Sequence, residues 1–542
     1  MKSVFVFVLL ATVLICASLT GTAQSCLNKD DIATLLSSLN SPPPAKPNQK
    51  LEKDLVKLAS ETRDIVGEYV RSGEKKESLS KRLELQNTKN TQKLCDVIKE
   101  SGWPTTWSIE ETGIEAVFFL LKTSAPLEMQ RDLLPVIIAA SKNDEIQKAE
   151  FASLVDKLRV SAGMKQIFGT QAKLSDGFLV VYPIEDEAHL EERRAKYSLG
   201  PMADFLRNLA RDYQTPVIKS RQAPSSQINR GHSGSTSDNL ASTLLNTPTV
   251  PDEDIIRTNI SLVNLNVSVA NGNSKTLVSS LTQNDFKVFE DGQEQSISYF
   301  ASTDVPFDLT LLLDLSGSTE RKRNLIEQST RRFIEAARPS DRISLQTFSD
   351  DLKVVSPLTS NREQLLSAID KMKGGGGTRV WDALKIAIES ADAQKTPDRR
   401  RAIVIMTDGV DNALSYWSDI GSQTDFADLL ELVQQSETLI VPIYLDTEHD
   451  ESPSGFSRRM YENARNILAT LARESGGSYY KAKKISDLDG VYEQVINDLG
   501  KIYSLGYKPT NEKRDATWRQ VQIQILNRPD LVAHSRPGYF AK

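Results

Sequence analysis

Hydrophobic positions follow three successive patterns along the chain. In the first part they recur every three or four residues. Leu51, Leu55, Leu58, Ile65 and Tyr69 lie on one helix face, with Gly73 near the end of that helix. Residues 114–122, 127–141 and 145–160 carry the same periodicity, so residues 26–213 are expected to form a mainly helical domain. Beyond 253 the period drops to two. Val263, Leu265, Val267 and Val269 alternate with Asn264, Asn266 and Ser268, and a turn follows at Asn271-Gly272-Asn273. Further short strands are predicted at Phe286–Phe289 and Ile297–Phe300, separated by the turn Glu290-Asp291-Gly292, which gives a small β unit over 253–303.

From 304 to 502 continuous apolar runs alternate with amphipathic stretches. The runs predict strands at 307–314, 342–349, 352–358, 401–407, 438–445 and 477–482. The stretches predict helices at 320–337, 361–372, 380–392, 425–436, 458–475 and 487–502. This order gives βαβ units and a doubly wound, Rossmann-like α/β sheet. The pair at 342–358 turns at Ser349-Asp350-Asp351 and supplies one antiparallel edge strand. Residues 503–542 return to β: a strand at 503–509, alternation from Arg519 to Leu526, and a last short strand before Arg536.

Two stretches interrupt these patterns. Residues 41–49 are too proline-rich for a helix and read as a short linker. Residues 214–252 are rich in Ser, Thr, Asn and Pro and read as a flexible linker between independent halves. At the start, Lys2 precedes an apolar run from Val4 to Ile15, and Gly21 and Ala23 stand where a signal peptidase cuts. Residues 1–23 therefore read as a signal peptide cleaved near Ala23, the alternative being an uncleaved anchor. Neither Cys16 nor Cys26 has the small and branched residues that precede a lipidated cysteine. No later run approaches 18 apolar residues, so no stable membrane span is expected after cleavage. The destination is periplasmic or extracellular. There Cys26 and Cys95 either pair or stay as two buried thiols.

Composition narrows the partners. Of 542 residues, 25% are charged and the net charge is −6, ordinary for a soluble multidomain protein and without the basic excess of a nucleic-acid binder.

The candidate chemistry sits at strand ends. The run Asp308–Asp314 leads into Leu315-Ser316-Gly317-Ser318 and then a helix. In an open α/β sheet, ligands bind at the carboxyl ends of strands beside such loops. Alternation points Asp314, Ser316 and Ser318 to one side. A carboxylate and two hydroxyls are hard oxygen donors suited to Mg²⁺, with Mn²⁺ or Ca²⁺ as alternatives. Two further loops supply oxygens at the same edge. Gly374–Gly377 precedes Thr378, and the apolar run Ile403–Met406 ends at Thr407-Asp408.

In this constellation the chain resembles the von Willebrand factor A family, also seen as inserted domains in integrins. Its metal-ion-dependent adhesion site is D-x-S-x-S, then a Thr, then an Asp. The matching positions are Asp314, Ser316, Ser318, Thr378 and Asp408. The resemblance implies an incompletely filled oxygen shell whose open position takes an acidic side chain from a protein partner. The flanks, LTQNDFKVFEDGQEQSISYF and the closing SLGYKPTN and RPGYFA, resemble a von Willebrand A-related family of exported bacterial proteins, which extends the likeness to about 255–542. In the helical half, Gly102-Trp103-Pro104, Gln130, Asp156-Lys157, Gln166, Phe168-Gly169-Thr170-Gln171 and Arg193-Arg194 resemble an uncharacterised bacterial domain family, with Phe168 in place of its usual tyrosine. Those polar residues either line a pocket or form a satisfied buried hydrogen-bond network.

Other signals are weak. His189, His232, His449 and His534 have no paired-ligand spacing for zinc. His232–Ser235 lacks the strand–turn–helix context of a nucleophile elbow. The expected activity is exported, metal-dependent protein binding for adhesion or assembly rather than catalysis. One alternative makes the helical domain an enzyme with the A-type domain as its targeting arm. Another makes the whole chain a scaffold with a vestigial metal site.

Overall fold

The computed structural model describes residues 25–39, 47–71, 77–142, 146–175, 177–219, 262–274, 276–317, 319, 322–396, 398–414, 421–447, 458–482 and 488–541. The expected signal peptide and residues 220–252 of the expected linker lie outside these.

The first part is helical. Helices α1 (Lys29–Ser38), α2 (Gln49–Arg71), α3 (Glu77–Ser101), α4 (Glu111–Ser124), α5 (Leu127–Lys142) and α6 (Lys148–Ser161) enclose a core around Leu55, Leu94, Trp103, Phe118, Leu121, Leu133 and Ile137. Asn28 starts α1 by accepting from the N–H groups of Asp30 and Asp31. Cys26 and Cys95 are joined as a disulfide, which ties the segment before α1 to α3. Helix α3 is the long element that hydrophobic spacing does not announce. Over its 25 residues it buries Leu83, Asn90, Leu94, Cys95, Val97 and Ile98, most of them crowded at its C-terminal end. Two short helices, α7 (Leu190–Lys196) and α8 (Met202–Tyr213), complete the set.

This half also contains a small sheet. Strands β1 (Ala172–Ser175), β2 (Phe178–Val181) and β3 (Val217–Lys219) pair in that order. Strand β3 falls inside the stretch expected to be a linker from residue 214. Val217 and Ile218 are apolar enough to pair with Leu179 and Val180, and Val217 is buried. Six residues therefore move from the linker to the folded unit.

The two β segments that flank the α/β region form one body. Strands β4 (Val263–Asn271), β5 (Phe286–Glu290), β6 (Gln293–Gln295) and β7 (Ile297–Ala301) come before it. Strands β14 (Tyr503–Tyr507), β15 (Trp518–Ile525), β16 (Leu531–His534) and β17 (Gly538–Phe540) come after it. They assemble as two four-stranded sheets, β16-β4-β14-β7 and β17-β15-β5-β6. The sheets share a core of Leu265, Val267, Phe286, Val288, Tyr503, Leu505 and Val521. Tyr507 and Tyr539 both donate to the buried Glu290 Oε2, at 2.7 and 2.8 Å. Each sheet takes strands from both ends of this region, so the α/β unit is inserted into a β-sandwich.

The inserted unit has one six-stranded sheet. Its strands are β8 (Phe307–Asp314), β9 (Arg342–Phe348), β10 (Leu352–Thr359), β11 (Arg400–Thr407), β12 (Leu439–Leu445) and β13 (Tyr480–Ala482), in the order β10-β9-β8-β11-β12-β13. All pairings are parallel except β10 with β9. One face packs on α9 (Arg323–Ala336), α10 (Arg362–Ile369) and α14 (Leu488–Leu499) through Leu309, Leu311, Val404 and Val441. The other packs on α11 (Val380–Ala393), α12 (Phe426–Gln435) and α13 (Arg458–Ser475) through Leu312, Ile403, Ile405 and Ile440. Burial on both faces explains the uninterrupted apolar strands. The helical half rests against α12, where Phe178 stacks on Phe426 with ring centroids 5.9 Å apart.

The Cys26–Cys95 bond spans 69 residues. Closing a loop of that length in the unfolded chain contributes roughly 2–4 kcal/mol of stability. Urea unfolding of Cys95→Ser should show a loss of that order, seen also for wild type in reductant. Identical midpoints for the two forms would show that the bond adds nothing.

Candidate metal centre

Strand order reverses direction between β8 and β11. The chain leaves β8 towards β9 on one side and reaches β11 on the other, which leaves a crevice at their carboxyl ends. Leu313 pairs with Met406, so Asp314 lies opposite Thr407 and Asp408 follows one residue on. Both acids are fully buried. Asp314 Oδ1 accepts from the Ser316 N–H at 2.9 Å, and its Oδ2 accepts from the Thr407 hydroxyl at 2.6 Å. Asp408 Oδ1 accepts from the Val410 N–H at 3.2 Å, and its Oδ2 from the Thr447 hydroxyl at 2.9 Å. These bonds fix how each carboxylate is turned.

The glycine loop closes the third side. The Gly375 N–H donates to Leu315 O at 2.8 Å, and the Gly317 N–H donates to Gly376 O at 3.2 Å. A Cβ on Gly374 would stand 2.6 Å from Leu315 O. Gly376 has φ +104°, and a Cβ there would stand 2.1 Å from Asp350 Oδ2. Asp350 in turn accepts from the Gly377 N–H at 2.8 Å. The glycines thus let this loop lie directly on the loop after β8. Thr378 is buried, and its carbonyl accepts from the Asn412 N–H at 3.0 Å, which ties it to the segment after Asp408. The structure therefore gathers Asp314, Ser316, Thr378 and Asp408 at one sheet edge. Ser318 lies outside the described residues.

The electrostatics of this edge call for a cation. Burial and the negative charge of Asp408 push the Asp314 carboxyl up to about 7, against the hydrogen bonds from Ser316 and Thr407. Two carboxylates held this close in a buried site are unfavourable unless a proton or a cation lies between them. Carboxylates and hydroxyls without sulfur or imidazole fit a hard divalent ion. Thr407, Thr447 and Asp350 hold the acids and the glycine loop in place and were not picked out from the sequence. Thr407 could have been, because it immediately precedes an acid at a strand end.

Asp156, Gln166, Gln171, Arg193 and Arg194, among the polar residues singled out in the helical half, meet at one loop. Asp156 accepts from the N–H groups of Ile167, Phe168 and Thr170, at 2.6, 3.1 and 3.0 Å, and from the Thr170 hydroxyl. Gln166 and Gln171 bond reciprocally, with Gln171 N–H to Gln166 Oε1 at 2.8 Å and Gln166 Nε2 to Gln171 O at 3.2 Å. Arg194 donates to Phe168 O, Arg193 to Ile167 O, and Gln130 to Ala125 O. Asp156, Gln166 and the two arginines therefore brace residues 166–171. Lys157 is not part of that network.

The raised Asp314 carboxyl sets a pH dependence. In the unfolded chain it takes up its proton near about pH 4, and in the folded metal-free chain near 7. Its contribution to stability is present at low pH and is lost as pH rises through that interval. A bound cation removes the loss. The gain in Tm on adding Mg²⁺ should be small near about pH 5 and large near about pH 8. A gain independent of pH, or none, would contradict this.

Comparison with known proteins agrees with the geometry. Residues 309–410 match the family described as von Willebrand factor type A domain. Residues 62–218 match a family of unknown function, DUF6624. A UPF0353 protein of Nocardia farcinica is 22% identical over 233 residues, which is 40% of this chain and 67% of that protein. An uncharacterized protein of Synechocystis is 31% identical over 108 residues, which is 19% of this chain and 26% of that protein. Among solved structures, a von Willebrand factor type A protein from Catenulispora acidiphila is similar over 53% of this chain and 65% of its own, at 13% identity and a TM-score of 0.30. The chain carries a von Willebrand factor type A domain, preceded by a region that matches a family of unknown function.

Proposed function

We propose that this is an exported protein whose A-type domain binds a protein partner through a divalent cation, most simply Mg²⁺, held on Asp314, Ser316, Ser318, Thr378 and Asp408. The observation that carries the reading is the pair of buried carboxylates at adjoining strand ends, where burial and then the charge of Asp408 raise the Asp314 carboxyl. When bound, the cation supplies a Lewis-acidic position for a carboxylate oxygen of the partner. Asp314 and Asp408 supply the opposing charge, and Thr407 and Thr447 keep their oxygens aimed. Gly317, Gly374 and Gly376, in the loops that meet beside the two acids, are exposed. Export is supported by the signal-like residues 1–23 and by the Cys26–Cys95 disulfide, a bond that persists in oxidising compartments.

The test is capture of partners from an envelope extract, with Mg²⁺ or with EDTA, on wild type and Asp314→Ala. A partner should be retained at least about tenfold better by wild type with Mg²⁺ than in either other condition. Asp314→Ala should stay folded, since it removes one of two repelling acids, and its Tm in EDTA should equal or exceed that of wild type. A partner held equally well by Asp314→Ala in EDTA would refute the metal bridge.

A further inference from the structure

Helix α6 carries Glu150, Ser153 and Lys157 at positions i, i+3 and i+7, which places them along one face. Lys122 of α4 meets that face. Its ammonium donates to Glu150 Oε2 at 2.8 Å and to Ser153 Oγ at 2.9 Å. Gln171 arrives from the other side, its Nε2 donating to Ser153 O at 3.1 Å. All five side chains are buried, with relative exposures of 7% or less.

The charges on this face do not balance. Glu150 is neutralised by Lys122. Lys157 then has no ion pair and no hydrogen bond to any described residue, and the charge it feels is the like charge of Lys122. Burial and that repulsion bring its amine down to about 7. Gln171 Oε1 is also buried and has no hydrogen-bond partner among the described residues. A lysine this deeply buried without a counter-charge and a buried acceptor without a donor are both unfavourable; Gln171 bonds Ser153, and Lys157 follows Ser153 by one helical turn. Neighbouring Asp156 shows the contrast, because its oxygens take four hydrogen-bond donors from residues 167–170.

We propose that this face of the helical region is a binding site for a small ligand bearing an oxyanion, a carboxylate or a phosphate. Lys157 supplies the counter-charge and Gln171 Oε1 accepts from a hydroxyl or amine of the same ligand. The site is made of α4, α6 and the start of β1, and shares no residue with the metal centre. Its function is therefore independent of the metal-bridge reading.

The full chain in EDTA is titrated with inorganic phosphate and, separately, with malonate, against chloride of equal ionic strength. Calorimetry should show saturable binding of one of the two anions at one site per chain, and the preferred anion tells phosphate from carboxylate. Lys157→Met should weaken that binding at least about tenfold, whereas Lys99→Met, on an exposed part of α3, should not. Lys157→Met replaces an unpaired ammonium with an apolar chain of similar length, so without anion its Tm should equal or exceed that of wild type. Absence of saturable binding of either anion to wild type would overturn the proposal. So would equal binding by Lys157→Met, or its failure to fold.

Discussion

Two carboxylates forced together out of water are the constraint on which the rest of the A-type domain turns. Asp314 ends β8 and Asp408 follows β11, two strands that are mostly apolar towards these ends and covered on both faces by helices. Parallel register puts Asp314 opposite Thr407 and Asp408 one residue beyond, and both acids are buried. Burial first, and then the charge of Asp408, raise the Asp314 carboxyl. Everything around them keeps that arrangement in place. Thr407 and Thr447 hold one oxygen of each acid, and the glycine loop lies against Leu315 because it has no side chains to prevent it. A proton on one acid or a cation between the two relieves this repulsion.

The sandwich gives this edge a fixed support at the opposite end of the sheet. Strand β7 ends at Ala301 and β8 begins at Phe307, while α14 ends at Leu499 and β14 begins at Tyr503. Both crossings are only a few residues long, and β7 and β14 are hydrogen-bonded neighbours. The Arg400 guanidinium bridges the two units by donating to Ser504 Oγ at 2.8 Å and to Ser302 O at 2.7 Å. The helical half contacts α12, a helix that also packs on the α/β sheet.

Much of this was legible in the sequence, and the exceptions have physical causes. The strands of the α/β unit are buried on both faces, so they read as continuous apolar runs, and β8 and the helix at 458–475 fall where hydrophobic spacing puts them. That Asp314, Ser316, Thr378 and Asp408 would meet at one end of the sheet was legible because strand-end acids and Gly-rich loops are local signals. Helix α3 was not legible, since its middle is polar and its burial comes at one end. Strand β3 was hidden because three residues in a polar stretch carry no period. Strands β6 and β17 are three residues each and exist through their partners rather than through their own composition. The sequence also could not tell which polar residues of the helical half are satisfied. Asp156 and Gln166 are, whereas Glu150 pairs with Lys122, a contact across 28 residues, and Lys157 has no ion pair among the described residues.

The account stands or falls on a cation held between Asp314 and Asp408, and Mn²⁺ reports on this directly through its paramagnetic signal. Electron paramagnetic resonance titration of the full chain should show one bound Mn²⁺ per chain, displaced by Mg²⁺. In Asp408→Asn, which keeps the shape of the side chain and removes its charge, binding should weaken by at least about tenfold. Equal Mn²⁺ binding by wild type and Asp408→Asn, or no bound Mn²⁺ in wild type, would contradict it.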